Sequence, residues 1–274
     1  MIYQEILPCL ALQPFVRNYL LVNFDFVPEA FRIKPYPTRV EQALVFFARG
    51  YIESYNYETG KREKIARNAL FGQQVGRLNY YTYTQPDFLM LMVIFQPGAM
   101  YRFLGFSNDK LTSEFCDAEA ILNAELQATN DQIANATSYT LMIERAEEYL
   151  LCKLKNIRKE SHAIDKIGKL LLHNPMPFSL DWLANQANLS SRQFERKFSE
   201  RMGIGPKLYS RISRFYQAFE YKESLPHLDW LNVAVEFGYT DYAHLAKDFK
   251  QFAHVTPNLL LKENAQRPEI IVSL

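Results

Sequence analysis

The chain has 274 residues, 48% of them apolar and 22% charged, with a formal net charge of +1. That length suits two domains with sizeable cores. The near-neutral balance excludes a polybasic tail or an acidic solvating protein, so a nucleic-acid partner has to be met by locally concentrated charge.

Residues 1 to about 100 read as strands. Phe15 to Val27 alternates, with Leu20, Val22, Phe24 and Phe26 on one face and Asn23 and Asp25 on the other. Gln42 to Ala48 is a short β-rich run. Tyr51 to Tyr57 alternates again and meets a hairpin-type turn at Glu58-Thr59-Gly60-Lys61. Leu78 to Thr84 and Phe88 to Phe95 flank Gln85-Pro86-Asp87 as a further turn. Short strands at this spacing predict an antiparallel sandwich or small barrel. After Gln96-Pro97-Gly98 the pattern becomes helical, with a turn over Ala99 to Leu104 and a long helix over Ser138 to Lys155. That helix has the spacing of either a dimerisation surface or a cover for the barrel. The charged stretch Asn156 to Ser161 suits a linker, giving domains at 1–158 and 159–274.

The second domain contains a repeat. A shift of 51 residues superposes Leu180 on Leu231, Leu183 on Ala234, Ala187 on Gly238, Phe194 on Leu245, Phe198 on Phe249 and Pro206 on Pro257. Each copy reads as helix, turn, helix, over about 179–203 and 229–254. Ser179, Ser190, Asp229 and Asp241 are candidate caps, and Ser190 with Gln193 has capping-box spacing. Pro206 to about Leu225 makes the connecting helix. A small residue at such a turn lets two helices cross closely, as a helix-turn-helix requires to project its second helix into a major groove. From Ser190 to Arg214 there are seven cations (Arg192, Arg196, Lys197, Arg201, Lys207, Arg211, Arg214) against two anions, placing positive charge where phosphates would lie.

These residues resemble the AraC/XylS family of bacterial transcriptional regulators, above all in LDWLANQANLSSRQFERKFSERMGIGP and AVEFGYTDYAHLAKDFKQFAHVTP. His254 stands where the family pattern expects a glycine, and Leu260 where it expects a tyrosine. The resemblance implies an α+β chain: an N-terminal, cupin-like antiparallel β-barrel with trailing helices, then an all-α domain of two helix-turn-helix modules joined by a linker helix. It also implies base-reading side chains early in each second helix. Carried over, these are Arg192, Gln193, Glu195 and Arg196 in the first module and Tyr242, Ala243, His244 and Lys247 in the second. Arg192 and Arg196 lie one turn apart and suit guanine, Gln193 suits adenine unless its cap holds it, and Ala243 suits a thymine methyl. Lys197, Arg201, Lys247 and Lys250 are assigned to phosphate. Phe194, Phe198, Leu245, Phe249 and Trp182 read as core. The paired arginines predict that the first module reads most of the sequence.

The three cysteines, Cys9, Cys116 and Cys152, are odd in number and lack a CxxC pair, which argues against a disulfide framework and fits a reducing cytoplasm. The first residues lack a secretion signal, and no apolar run reaches the ~18 residues of a membrane span. All five histidines lie beyond the linker, so the barrel offers none to a metal, and neither a metal nor another cofactor is expected. No nucleophile or phosphate-loop motif points to an enzyme, and an alkyl-transfer repair protein would need clustered zinc-binding cysteines. Double-stranded DNA is the expected partner. A small-molecule effector is a further expectation, with Arg39, Glu41, Tyr55, Tyr57, Tyr81 and Tyr83 as candidate lining, although the tyrosines would equally pack the barrel. The alternative is a ligand-independent regulator whose first domain forms a homodimer or touches RNA polymerase.

Overall fold

A computed structural model describes residues 2–24, 33–56, 59–82, 87–122, 124–155, 157, 160–174 and 178–265. The N-terminal half forms two antiparallel sheets. The first has six strands in the order β1 (Ile2–Ile6), β2 (Val16–Phe24), β9 (Phe88–Phe95), β4 (Ala43–Arg49), β7 (Asn68–Phe71) and β10 (Phe115–Asp117). The second has four, ordered β3 (Ile33–Tyr36), β8 (Leu78–Thr82), β5 (Ile52–Asn56) and β6 (Arg62–Lys64).

The continuous apolar run of β9 follows from burial on both faces. Phe88, Met92 and Ile94 face the space between the sheets, beside Leu20, Val45 and Phe47. Leu89, Leu91, Val93 and Phe95 face the other way, against helices. Those helices are α1 (Ala99–Leu104), α3 (Glu125–Ala134) and α4 (Tyr139–Leu154), with the single turn α2 (Glu119–Leu122) before them. Ser138 caps α4, accepting from Leu141 N–H at 3.1 Å. Met142, Ala146, Tyr149 and Leu150 are then buried in the cluster that α4 forms with α3 and the outer face of the first sheet, and the two sheets do not close into the predicted barrel. Strands β1, β3, β7 and β10 are too short or too polar for alternation to expose them in the sequence. The linker prediction at Asn156 to Ser161 falls partly outside the described residues, as do Tyr57 and Tyr83.

The C-terminal half is all helix: α5 (Ala163–His173), α6 (Leu180–Gln186), α7 (Ser191–Met202), α8 (Pro206–Ser224), α9 (Trp230–Glu236), α10 (Tyr242–Ala253) and α11 (Pro257–Ala265). Its core is aromatic, with Phe194, Phe198, Phe215, Phe249 and Phe252 fully buried. Phe215 meets Phe249 edge-on at 4.8 Å between ring centroids. Trp182 departs from its core assignment: it is 43% exposed and stacks on Phe178 at 5.5 Å. The core tryptophan is Trp230 instead. No helix among the described residues is long and apolar enough to cross a membrane.

Candidate nucleic-acid interface

Two helix-turn-helix units stand at the ends of α8. In the first, Ser179 caps α6 by accepting from Trp182 N–H, and Ser190 caps α7. In the second, Asp229 accepts from Asn232 N–H at 2.8 Å and Asp241 from His244 N–H at 2.7 Å. The second helices, α7 and α10, superpose at the offset of 51, cap on cap and Phe198 on Phe249. The first helices do not. Ser179 answers to Asp229, Leu183 to Val233, Ala184 to Ala234 and the left-handed Asn188 to the left-handed Gly238, an offset of 50. One extra residue therefore sits in the second turn, which corrects the uniform register read from the sequence. It also explains why Trp182, opposite the surface residue Asn232, is exposed.

The predicted contact residues divide by environment. Arg192, Gln193, Glu195 and Arg196 are exposed on α7, and Tyr242, Ala243, Lys247 and Lys250 on α10; Lys197 and His244 are half-buried. Arg196 pairs with Glu200 one turn on, at 3.2 Å. Arg201 does not join them. It is 7% exposed and donates from Nε and Nη2 to the two oxygens of Asp165, both at 2.6 Å, with its guanidinium 4.6 Å from the Tyr101 ring. A phosphate cannot reach it there, because the desolvated Asp165 carboxylate already holds both donors. Arg211 and Arg214 likewise turn inward to Asp248 on α10, at 2.6 and 3.3 Å. Four of the seven cations counted in the sequence thus bind carboxylates, and for Arg201, Arg211 and Arg214 the carboxylate lies on another helix. Asp248 also accepts from Tyr239 Oη–H at 3.1 Å, tying α8, α10 and the second turn together. Burial first, then that carboxylate, push the Tyr239 hydroxyl above its ordinary value, which keeps it a donor.

The far ends of both recognition helices meet the N-terminal half. The last carbonyls of a helix lack intrahelical partners. Here Gln42 Nε2 donates to Met202 O at 3.2 Å, Asn108 Nδ2 to Arg201 O at 2.8 Å, and Thr112 Oγ1 to Gly203 O. On α10, Arg77 Nη1 donates to Ala253 O at 3.0 Å and Thr38 N–H to Phe252 O at 3.3 Å. These long-range polar contacts carry no sequence signal, since nothing local distinguishes Asn108 or Gln42 from surface amides. Beside them, at the junction of the halves, lies a cavity of about 480 Å³. Arg17, Arg39 and Glu41 line one side, and His173, Tyr216 and Glu220 the other. Arg39 and Glu41 pair at 2.9 Å, and Tyr36 Oη donates to Glu41 at 2.5 Å. Tyr55 is half-buried on β5 and does not line this cavity; Tyr81 lies on β8.

Comparison with known proteins agrees with this architecture. The family described as a helix-turn-helix domain matches residues 183–263. No curated protein matches the sequence. Among solved structures, apo ToxT from Vibrio cholerae shares the fold at a TM-score of 0.50 and 12% identity, covering 89% of this chain and 97% of that one. Unsaturated fatty acid-bound ToxT from the same organism gives the same score and identity, covering 89% and 94%. Residues 183–263 thus carry a helix-turn-helix domain, and the chain shares its overall fold with ToxT, in agreement with the resemblance of its residues to the AraC/XylS family.

Proposed function

We propose that the protein is a sequence-specific regulator whose α7 and α10 enter successive major grooves on one face of the duplex. In this reading its N-terminal domain, over 1–158, sets how the modules of the 159–274 domain are presented, and a small molecule in the junction cavity modulates that presentation. The observation that carries the reading is the capping of both recognition helices at their C-terminal ends by the N-terminal half, while their N-terminal ends stay exposed. Arg192 and Arg196 read guanine, Glu195 orients Arg192, and Tyr242 and Ala243 make lighter base contacts, Ala243 with a thymine methyl. Lys197, Lys247 and Lys250 meet phosphate. The first module accordingly reads most of the sequence.

The cavity mixes both signs of charge and spans the two halves, so an occupant would touch the braces' own neighbourhood. ToxT has been captured with an unsaturated fatty acid, which supports a small-molecule role for this fold. One observation favours the second reading, a ligand-independent regulator whose N-terminal domain dimerises or contacts RNA polymerase. Among the described residues, the cavity beside Tyr36 and Met92 measures about 20 Å³, too small for a metabolite. Footprinting on genomic promoter fragments tests the proposal. It predicts two protected segments centred one helical turn apart, about 10 base pairs, whose protection changes when metabolite fractions are added. A single unpaired segment would contradict the two-groove geometry, and protection indifferent to every fraction would favour the second reading.

A further inference from the structure

The third residue of each recognition helix is held in a way that fixes its hydrogen-bonding sense. On α7 that residue is Gln193. Its Oε1 accepts from Ser190 N–H at 3.2 Å and from Ser190 Oγ–H at 3.1 Å, while its own N–H donates to Ser190 Oγ. A backbone N–H can only donate, so the amide cannot be flipped, and both lone pairs of Oε1 are occupied. What Gln193 presents to solvent is Nε2, a pair of donors. On α10 the equivalent residue is His244. Its Nδ1 lies 3.5 Å from Thr240 N, which donates to it, and 3.4 Å from Thr240 Oγ1, while its ring is packed edge-on against Tyr239 at 5.1 Å. A neutral imidazole that accepts at Nδ1 carries its proton at Nε2. Both modules, in the same register, therefore turn an acceptor inward and a donor outward.

We propose that Gln193 and His244 are specificity-determining residues that select acceptor edges in the major groove, guanine above all, and that the capping box bars Gln193 from adenine. Bidentate adenine recognition needs the amide to accept from N6 as well as donate to N7, whereas guanine O6 and N7 are both acceptors. This rests on the DNA-binding reading above, and it replaces the adenine preference that glutamine carries when its amide is free.

Selection of binding sites from random duplexes tests it, using the full-length wild type, Gln193→Glu, Gln193→Ala and His244→Ala. Gln193→Glu keeps an oxygen for Ser190 N–H, so the cap survives, but it offers only acceptors. The wild type is expected to select guanine at one position that Gln193→Glu converts to cytosine and Gln193→Ala leaves open, with a roughly tenfold loss of preference. His244→Ala is expected to open one guanine position in the other half-site. Circular dichroism of each variant reports whether it is folded; a Gln193→Ala chain that loses helix is set aside and Gln193→Glu decides. Adenine selected at the Gln193-dependent position, or a motif unchanged by all three variants, would overturn the inference while leaving the DNA-binding reading intact. A uniform loss of affinity with an unchanged motif would assign the donors to phosphate and also overturn it. Enrichment of no motif by the wild type would instead refute the DNA-binding reading itself.

Discussion

Gly203 and His254 end the two recognition helices at equivalent positions, and both adopt the left-handed backbone, at φ 84 and φ 58. Glycine does so without strain, whereas a side chain there costs roughly 1–2 kcal/mol. His254→Gly should therefore stabilise the second module by up to about 1 kcal/mol, after the extra entropy glycine brings to the unfolded chain. Chemical denaturation measures it; a destabilised variant would mean that the imidazole's contacts outweigh the backbone strain.

Asp165 and Arg201 form a buried ion pair under Gly98, where a Cβ would lie 2.0 Å from the carboxylate. Removing one partner strands the other charge, so Arg201→Ala or Asp165→Ala should each cost about 3–5 kcal/mol. Gly98→Ala should destabilise as well, both through that clash and through its φ of 76. The salt dependence of DNA binding should be the same for a conservative Arg201→Lys as for wild type, because Arg201 neutralises no phosphate. A slope reduced by about one would return Arg201 to the interface.

Asn108 bridges the halves, donating to Arg201 O and to Gln42 Oε1. Asn108→Ala leaves those buried acceptors unpaired and should cost about 1–3 kcal/mol. If the brace sets module spacing, Asn108→Ala combined with Gln42→Ala should also bind operators lengthened or shortened by one base pair with less penalty than wild type does. Gel shifts on spacing variants measure this, and an unchanged penalty would separate the brace from spacing.

His162 caps α5, its Nδ1 accepting from Ile164 N–H at 3.2 Å. Burial first, then Arg201 and Lys197, hold its pKa below the ordinary 6.5. The folded state therefore binds this proton less readily than the unfolded state does. Stability from this group is complete above pH 6.5 and is lost as pH falls from there through the lowered folded value. His162→Asn keeps a capping oxygen without titrating, and should flatten the stability profile between about pH 7 and 5. A wild-type and variant pair with parallel profiles would contradict this.

Much of this molecule was legible in its residues, and the reasons are local. Two-sided burial of β9 and the caps Ser179, Ser190, Asp229 and Asp241 act within a few positions, so periodicity and spacing expose them. The first-helix register was not legible, because one extra turn residue leaves apolar residues facing apolar residues at either offset. Arg201, Arg211 and Arg214 look like any basic stripe until tertiary folding brings Asp165 and Asp248 from other helices. Arg39 and Glu41, named as candidate lining, do border the cavity at the junction, but its other walls come from β2, α5 and α8 and carry no local signal.

The central claim is that α7 reads DNA through paired arginines, and competition binding of Arg192→Ala plus Arg196→Ala on a footprinted site tests it most directly. Each lost bidentate guanine contact should cost about 1–3 kcal/mol and relax selection at its own base pair, leaving non-specific binding largely in place. Equal affinity and an unchanged sequence preference would contradict the assignment.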